Sequence, residues 1–233
     1  MRILNDIILS SATIGVVISL LAYELGAWMK KKFRSGIFNP LMISIVLTII
    51  FLLAFGIEYE NYNAGAKYLS YLLTPATVSL SIPLYMKLDL LKKHLWAILG
   101  GILSGVLSGM VCILALAAAF GLSHEQYVTL LPKSITTAIG IGIAEEYGGV
   151  AAITVAVIII TGVLGNMTAE FVCRTFGIKY AVSRGLAIGT ASHAIGTGKA
   201  IEMGETEGAM SGLAIAVAGL MTVAAAGVFS AFL

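Results

Sequence analysis

An all-α, polytopic membrane protein with broken helices is the fold class this sequence predicts, and three observations predict it. The 233 residues are 59% hydrophobic and 11% charged, where a soluble domain carries about 25% charge. The apolar residues gather in runs of about 20, the length that spans a bilayer. Three of those runs are interrupted by prolines, glycines, hydroxyls or charges. No soluble domain of useful size fits beside them, so residues 1–233 read as one membrane domain. The lipid bilayer is its solvent, and a net charge of +2 gives no reason to expect a nucleic acid. Cys112 and Cys173 have neither framework nor metal spacing, so no disulfide, metal or cofactor is expected.

About eight hydrophobic segments follow in order, at roughly 5–29, 38–57, 68–86, 94–121, 125–146, 150–173, 182–200 and 209–233. The first ends in Tyr23, Trp28 and Lys30–Lys32, an aromatic and basic interface anchor. Its basic cluster follows the apolar run, which argues against a cleavable signal. The second opens on Asn39-Pro40, with proline in the first turn where its missing N–H is harmless. Residues 58–67 are polar and read as a loop. In the fourth, Gly101, Gly105 and Gly109 recur at helical spacing beside Ser104 and Ser108. Such spacing lets helices approach closely, so this face reads as packing. A homodimer through it is one further reading.

The third, fifth and seventh segments are the interrupted ones. Residues 74–85 carry Pro75, Pro83 and five hydroxyl side chains. Each proline removes a backbone donor and clashes one turn back, so the helix kinks or breaks. In the fifth, Pro132-Lys133-Ser134 interrupts the start and two glycines with Glu145-Glu146 loosen the end. The seventh holds G-T-A-S-H-A-I-G-T-G-K at 189–199. Non-helical backbone at membrane depth is tolerated only inside protein or along a wet cavity. Kinks in packing helices are the plain alternative.

Placing Ala76 over Ala191, an offset of 115, sets Thr77 on Ser192 and Ser81 on Gly196. Residue identity is weak; the order of spans and breaks is what matches. This predicts an inverted repeat of about 38–121 and about 150–233, joined by a broken or re-entrant segment at about 125–146. Direction follows from charge. The basic loops at 30–34, 87–93 and 174–184 all become cytoplasmic if the fifth segment dips and returns or crosses an even number of times. The acidic groups Glu58 and Glu60, Glu145 and Glu146, and Glu202, Glu205 and Glu207 then all fall outside.

Two opposed breaks would present free amides, helix N-termini and hydroxyls, a setting for an anion. A small carboxylate or hydroxy acid suits Thr77, Ser79, Ser134, Thr136, Thr137, Ser192 and Thr197, with the broken backbone at Pro75, Ala76 and Gly196. His193 or Lys133 would supply charge. Each has a plain alternative: an interhelical hydrogen bond for His193, and a lysine reaching the interface for Lys133. No H-E-x-x-H, G-x-S-x-G or nucleotide-binding loop is present, so neither an enzyme nor an ATP-driven pump is expected.

The same residues resemble the LrgB (CidB/LrgB) family. The likeness lies in N-P at 39–40, P-A-T-x-x-L-x-I-P-L-Y at 75–85 and L-P-K-S-x-T-T at 131–137. It continues with T-G-x-L-G at 161–165, G-L-A-I-G-T-x-S-H-A-I-G-T at 185–197 and E-x-G-E-x-E-G-A at 202–209. Ala138 departs from the proline found there in many members. The resemblance implies two functional stories. One is an antiholin-like regulator of murein hydrolases and lysis. The other is a carrier of pyruvate, glycolate, glycerate or related small acids. It also implies a small LrgA/CidA-type membrane partner and a multi-pass place in the bacterial plasma (inner) membrane.

Overall fold

In the computed structural model the described residues are 13–33, 39–72, 75, 78–79, 81–86 and 88–233, and none of them is in a strand. The fold is all-α. Two compact units divide it, Met1–Ser79 and Leu80–Leu233.

In the first unit, α1 (Ile14–Phe33), α2 (Pro40–Phe55) and α3 (Tyr59–Ser70) pack together. Three lysines in the last turn of α1 complement its C-terminal dipole. The side chain of Asn39 caps α2 by accepting from the Leu41 and Met42 amides at 2.9 and 3.2 Å. Gly56 ends it at φ 62°, a left-handed position that glycine takes without strain. The polar stretch expected as a loop is instead helix α3. It is held from outside itself: Gly15 of α1 lies against Tyr62, Gly65 and Ala66, and Ser19 Oγ meets Tyr62 OH at 2.6 Å. Part of the break expected at 74–85, including Ala76 and Thr77, lies outside the described residues.

The second unit begins with two short helices, α4 (Ser81–Met86) and α5 (Leu88–Lys93). Then come α6 (Leu95–Phe120), α7 (His124–Leu130), α8 (Thr137–Glu146), α9 (Ala151–Thr175), α10 (Ala181–Met203) and α11 (Glu205–Phe229). The helices α6, α9 and α11, the last with its 3₁₀ extension to Phe232, are long and apolar enough to cross a membrane. A stripe at one-turn spacing on α6, from Ile98 through Ile102, Val106, Met110 and Ile113 to Ala117, is buried. It shares one core with Met210, Leu213, Ala214 and Ala218 of α11.

Between these crossing helices lie two hairpins. In the first, α7 and α8 are 7 and 10 residues long, too short to cross. The ring nitrogens of His124 lie within hydrogen-bond distance of the backbone oxygens of Tyr147 (3.2 Å) and Leu233 (2.9 Å). So α7 enters and α8 leaves at one end of the unit, which is also where α11 finishes. The chain over 124–147 reverses direction within the unit.

The seventh segment also returns, where a crossing was expected. Helix α10 breaks at His193, whose φ is 41° and ψ −142°. Before the break, Gly185 lies on Glu207 and Met210, and Gly189 on Ser211 and Ala214, so residues 181–192 run alongside α11. After it the order reverses: Thr197 meets Ser211 and Ile201 meets Gly208. Lys199 Nζ reaches Glu170 at 3.1 Å and Arg184 reaches Glu207 at 3.8 Å. This places Glu202, Glu205 and Glu207 at the same end as Arg174–Arg184, not opposite it as expected. A span that folds back brings both of its ends to one side.

The two hairpins therefore enter from opposite ends. Their inbound arms, 7 and 12 residues long, reach about 10 and 18 Å at 1.5 Å per residue. Together they approach the roughly 30 Å of a hydrocarbon core. They meet at Ile158 of α9, which is fully buried. Gly140 of the first hairpin sits against its side chain, and His193 of the second bonds its carbonyl at 2.9 Å.

Candidate functional site

Proline makes the first tip. Pro132 has no N–H to continue α7, and it is fully buried. The chain turns through bonds from Lys133 N–H to the Leu130 carbonyl (3.1 Å) and from Ile135 N–H to the Pro132 carbonyl (3.4 Å). Thr136, extended at φ −64° and ψ 143°, starts α8. Lys133 and Ser134 sit on this non-helical tip, half-buried, with Nζ donating to Ser134 Oγ at 3.0 Å.

The second tip is made by close approach. Glycines at 162 and 165 let α9 come up to it: a Cβ at Gly162 would lie 2.7 Å from the His193 ring, and one at Gly165 would collide with Ser192. That accounts physically for T-G-V-L-G facing G-T-A-S-H. The groups released by the break are paired. Asn166 donates to the Ile195 carbonyl at 2.7 Å, and Thr197 donates to the His193 carbonyl at 2.9 Å. Thr197 also shares a hydrogen bond with Ser211 at 2.7 Å.

A cavity of about 600 Å³ opens between α6, the first tip and residues 181–192. From α6 come Ala97, Gly101, Gly105, Ser108, Gly109 and Cys112; from the tip Lys133 and Ser134; from α10 Ser183, Leu186, Ala187, Thr190 and Ala191. The glycine face expected to be a packing seam is largely a cavity wall. A Cβ at Gly101 or Gly109 would meet nothing within 4 Å, and only Gly105 is in close contact, with the Thr190 methyl. Among the described residues no carboxylate forms an ion pair with Lys133. An ammonium ion taken out of water gains from a counter-anion, so this wall is chemically fit to hold one.

The sequence-predicted residues divide. Lys133 and Ser134 line the cavity, and Thr136 and Thr137 follow them, half-buried, at the start of α8. Ser192, His193, Gly196 and Thr197 are buried together at the second tip. There His193 bonds a backbone carbonyl and is not part of the large cavity's wall. Ser192 borders a smaller cavity of about 210 Å³ against α9. Pro75 and Ser79 belong to the first unit, where Ser79 Oγ donates to the Pro75 carbonyl at 2.8 Å. Ala76 and Thr77 lie outside the described residues. Thr190 and Ser183 do not stand out in the sequence. Their signal is a small-residue face through Ser183, Ala187, Thr190 and Ala191 at helical spacing.

Among the described residues, three helices long and apolar enough to cross a membrane, packed with two chain reversals, define an all-α polytopic membrane protein. Residues 19–232 match the LrgB-like family, and the chain belongs to it. It is similar to proteins named antiholin-like protein LrgB from Bacillus mycoides (strain KBAB4), Bacillus cereus (strain B4264) and Bacillus anthracis (strain CDC 684 / NRRL 3495). Each is 39% identical over 220 residues, covering 94% of this chain and 96% of the relative. No solved structure matches the chain.

Proposed function

We propose that this chain is a secondary carrier of small organic acid anions, monocarboxylates or hydroxy acids of the pyruvate, glycolate or glycerate kind. One observation carries the reading: Lys133, an ammonium on a non-helical hairpin tip, faces a cavity of about 600 Å³ without a carboxylate partner among the described residues. A charge at bilayer depth costs a few kcal/mol, which a bound carboxylate would offset. In this reading Lys133 holds the carboxylate. Ser134, Thr136 and Thr137 supply hydroxyls beside it. His193, Ser192, Gly196 and Thr197 fix the second tip, which holds in place the adjoining cavity wall at residues 183–191.

Many alternating-access carriers are built from internal repeats, and the helix directions favour a shorter repeat than the offset of 115. Pairing His124 with Ala181 gives an offset of 57 and sets α6 with its hairpin against α9 with its hairpin. These halves run in opposite senses, the inverted arrangement common in carriers. The chain would act in the bacterial plasma membrane with an LrgA/CidA-type partner, and it would not be an enzyme.

A second reading, an antiholin-like regulator of murein hydrolase activity and lysis, is favoured by the names of the relatives. Proteoliposomes with and without the small partner separate the two. The carrier reading expects uptake of labelled pyruvate, glycolate or glycerate that saturates and falls on Lys133→Met. Dye leakage without solute selectivity, and no saturable uptake, would refute it.

A further inference from the structure

We infer that Thr190 is a positioning residue for the transport step, acting through Ser134; this rests on the carboxylate site proposed above. Among the described residues, Thr190 Oγ1 is the buried side-chain polar atom with no hydrogen-bond partner. The residue is only 8% exposed. Its methyl group faces α6, where a Cβ at Gly105 would lie 2.8 Å from Cγ2, and glycine offers no side-chain partner.

Thr190 borders a void of about 20 Å³ between the first tip, α6 and α11. That volume holds about one water. Two other hydroxyls, Ser134 and Thr222, border the same void, and Ser134 is the one on the non-helical tip beside Lys133. Ser134 Oγ is occupied on its other side, accepting from Lys133 Nζ at 3.0 Å. An unpaired buried hydroxyl is costly, and Ser134 borders the same void.

An anion changes this arrangement. A carboxylate in the cavity draws the Lys133 ammonium toward itself and releases Ser134 Oγ. Ser134 lies on the turn between α7 and α8, so it can move without breaking a helix. The Thr190 hydroxyl then donates to Ser134 Oγ, latching the first tip onto residues 181–192 and closing the cavity over the anion. Ligand and latch stabilise the same state, which is the condition for binding to drive closure.

The test uses the whole chain in proteoliposomes, a Cys173→Ala background that leaves Cys112 on the cavity wall, and pyruvate as the anion. Thr190→Val should lower the maximal uptake rate by about tenfold or more while shifting the half-saturating pyruvate less than about threefold, and Thr190→Ser should restore most of the rate. Saturating pyruvate should slow maleimide alkylation of Cys112 by about tenfold in the parent protein and in Thr190→Ser, but by less than about threefold in Thr190→Val. Ser134→Ala should lower the maximal rate and the Cys112 protection as valine does and, being a hydroxyl beside the carboxylate, also raise the half-saturating pyruvate; its rate and protection readouts keep the test decisive if Thr190→Val folds poorly. Valine has the shape of threonine, so its unfolding midpoint should be no lower than the parent's. Parent-like uptake in Thr190→Val or Ser134→Ala overturns the latch and leaves the carboxylate site standing. Absence of pyruvate uptake by the parent overturns both.

Discussion

Replacing His193 isolates what holds the second hairpin tip. Its ring donates through Nε2–H to the Ile158 carbonyl at 2.9 Å, and it fills the gap that Gly162 leaves open. Alanine removes the hydrogen bond, worth about 1 kcal/mol, and empties a buried ring site, worth about 2 kcal/mol. The positive φ of 41° stays, because alanine resists it as histidine does. Glycine loses the same contacts but relieves backbone strain of about 1–3 kcal/mol. Against this stands about 0.5–1 kcal/mol for the freer unfolded glycine. His193→Gly should therefore be more stable than His193→Ala by about 1 kcal/mol, the reverse of the usual order inside a helix. At about 2–4 °C per kcal/mol for a chain of this size, alanine should lower the unfolding midpoint by about 6–12 °C, and glycine by about 3 °C less. The assay is thermal unfolding in detergent at one fixed scan rate. Alanine as stable as the parent, or glycine clearly below alanine, would refute a strained and hydrogen-bonded tip.

Other outcomes follow from the same geometry. Lys133→Met should raise the half-saturating concentration of pyruvate by about 10–100-fold, the worth of a hydrogen bond to a charged group, with Lys133→Arg losing less; equal uptake by all three would remove the anion site. Gly189→Ala should destabilise by about 1–3 kcal/mol because its Cβ meets the Ser211 backbone and Ala214. Gly101→Ala, with nothing within 4 Å, should instead stabilise α6 by up to about 1 kcal/mol; thermal midpoints in one detergent check both signs. In a cysteine-free background, Lys179→Cys and Glu205→Cys should label from one side of the membrane and Glu146→Cys from the other. Opposite labelling of residues 179 and 205 would mean that α10 crosses rather than returns.

Much of the fold is legible in residue order. Composition and run length fix a membrane protein, because about 20 apolar residues without charge have no stable place in water. Pro132 announces the first break, since a missing N–H acts locally whatever surrounds it. The capped start at Asn39-Pro40 and the crossing segments at 94–121 and 150–173 fall within a few residues of α2, α6 and α9. The polar stretch at 58–67 reads as a loop because its helix depends on α1, through contacts at Gly15 and Ser19 that its own composition does not carry. Lys133 and Ser134 stand out as polar groups at depth. Thr190 does not, because a threonine in a helix is ordinary until its hydroxyl is found without a partner.

Sequence by itself determined that segments five and seven are interrupted. It did not determine where the chain goes afterwards. A break frees backbone groups and leaves the next direction open, and that direction is set by what the following helix packs against. For residues 194–203 the choice was made by Asn166 and Glu170 on α9 and by Ser211 on α11, partners distant in the chain. They turned a presumed crossing into a hairpin, and with it moved three glutamates to the other end of the molecule.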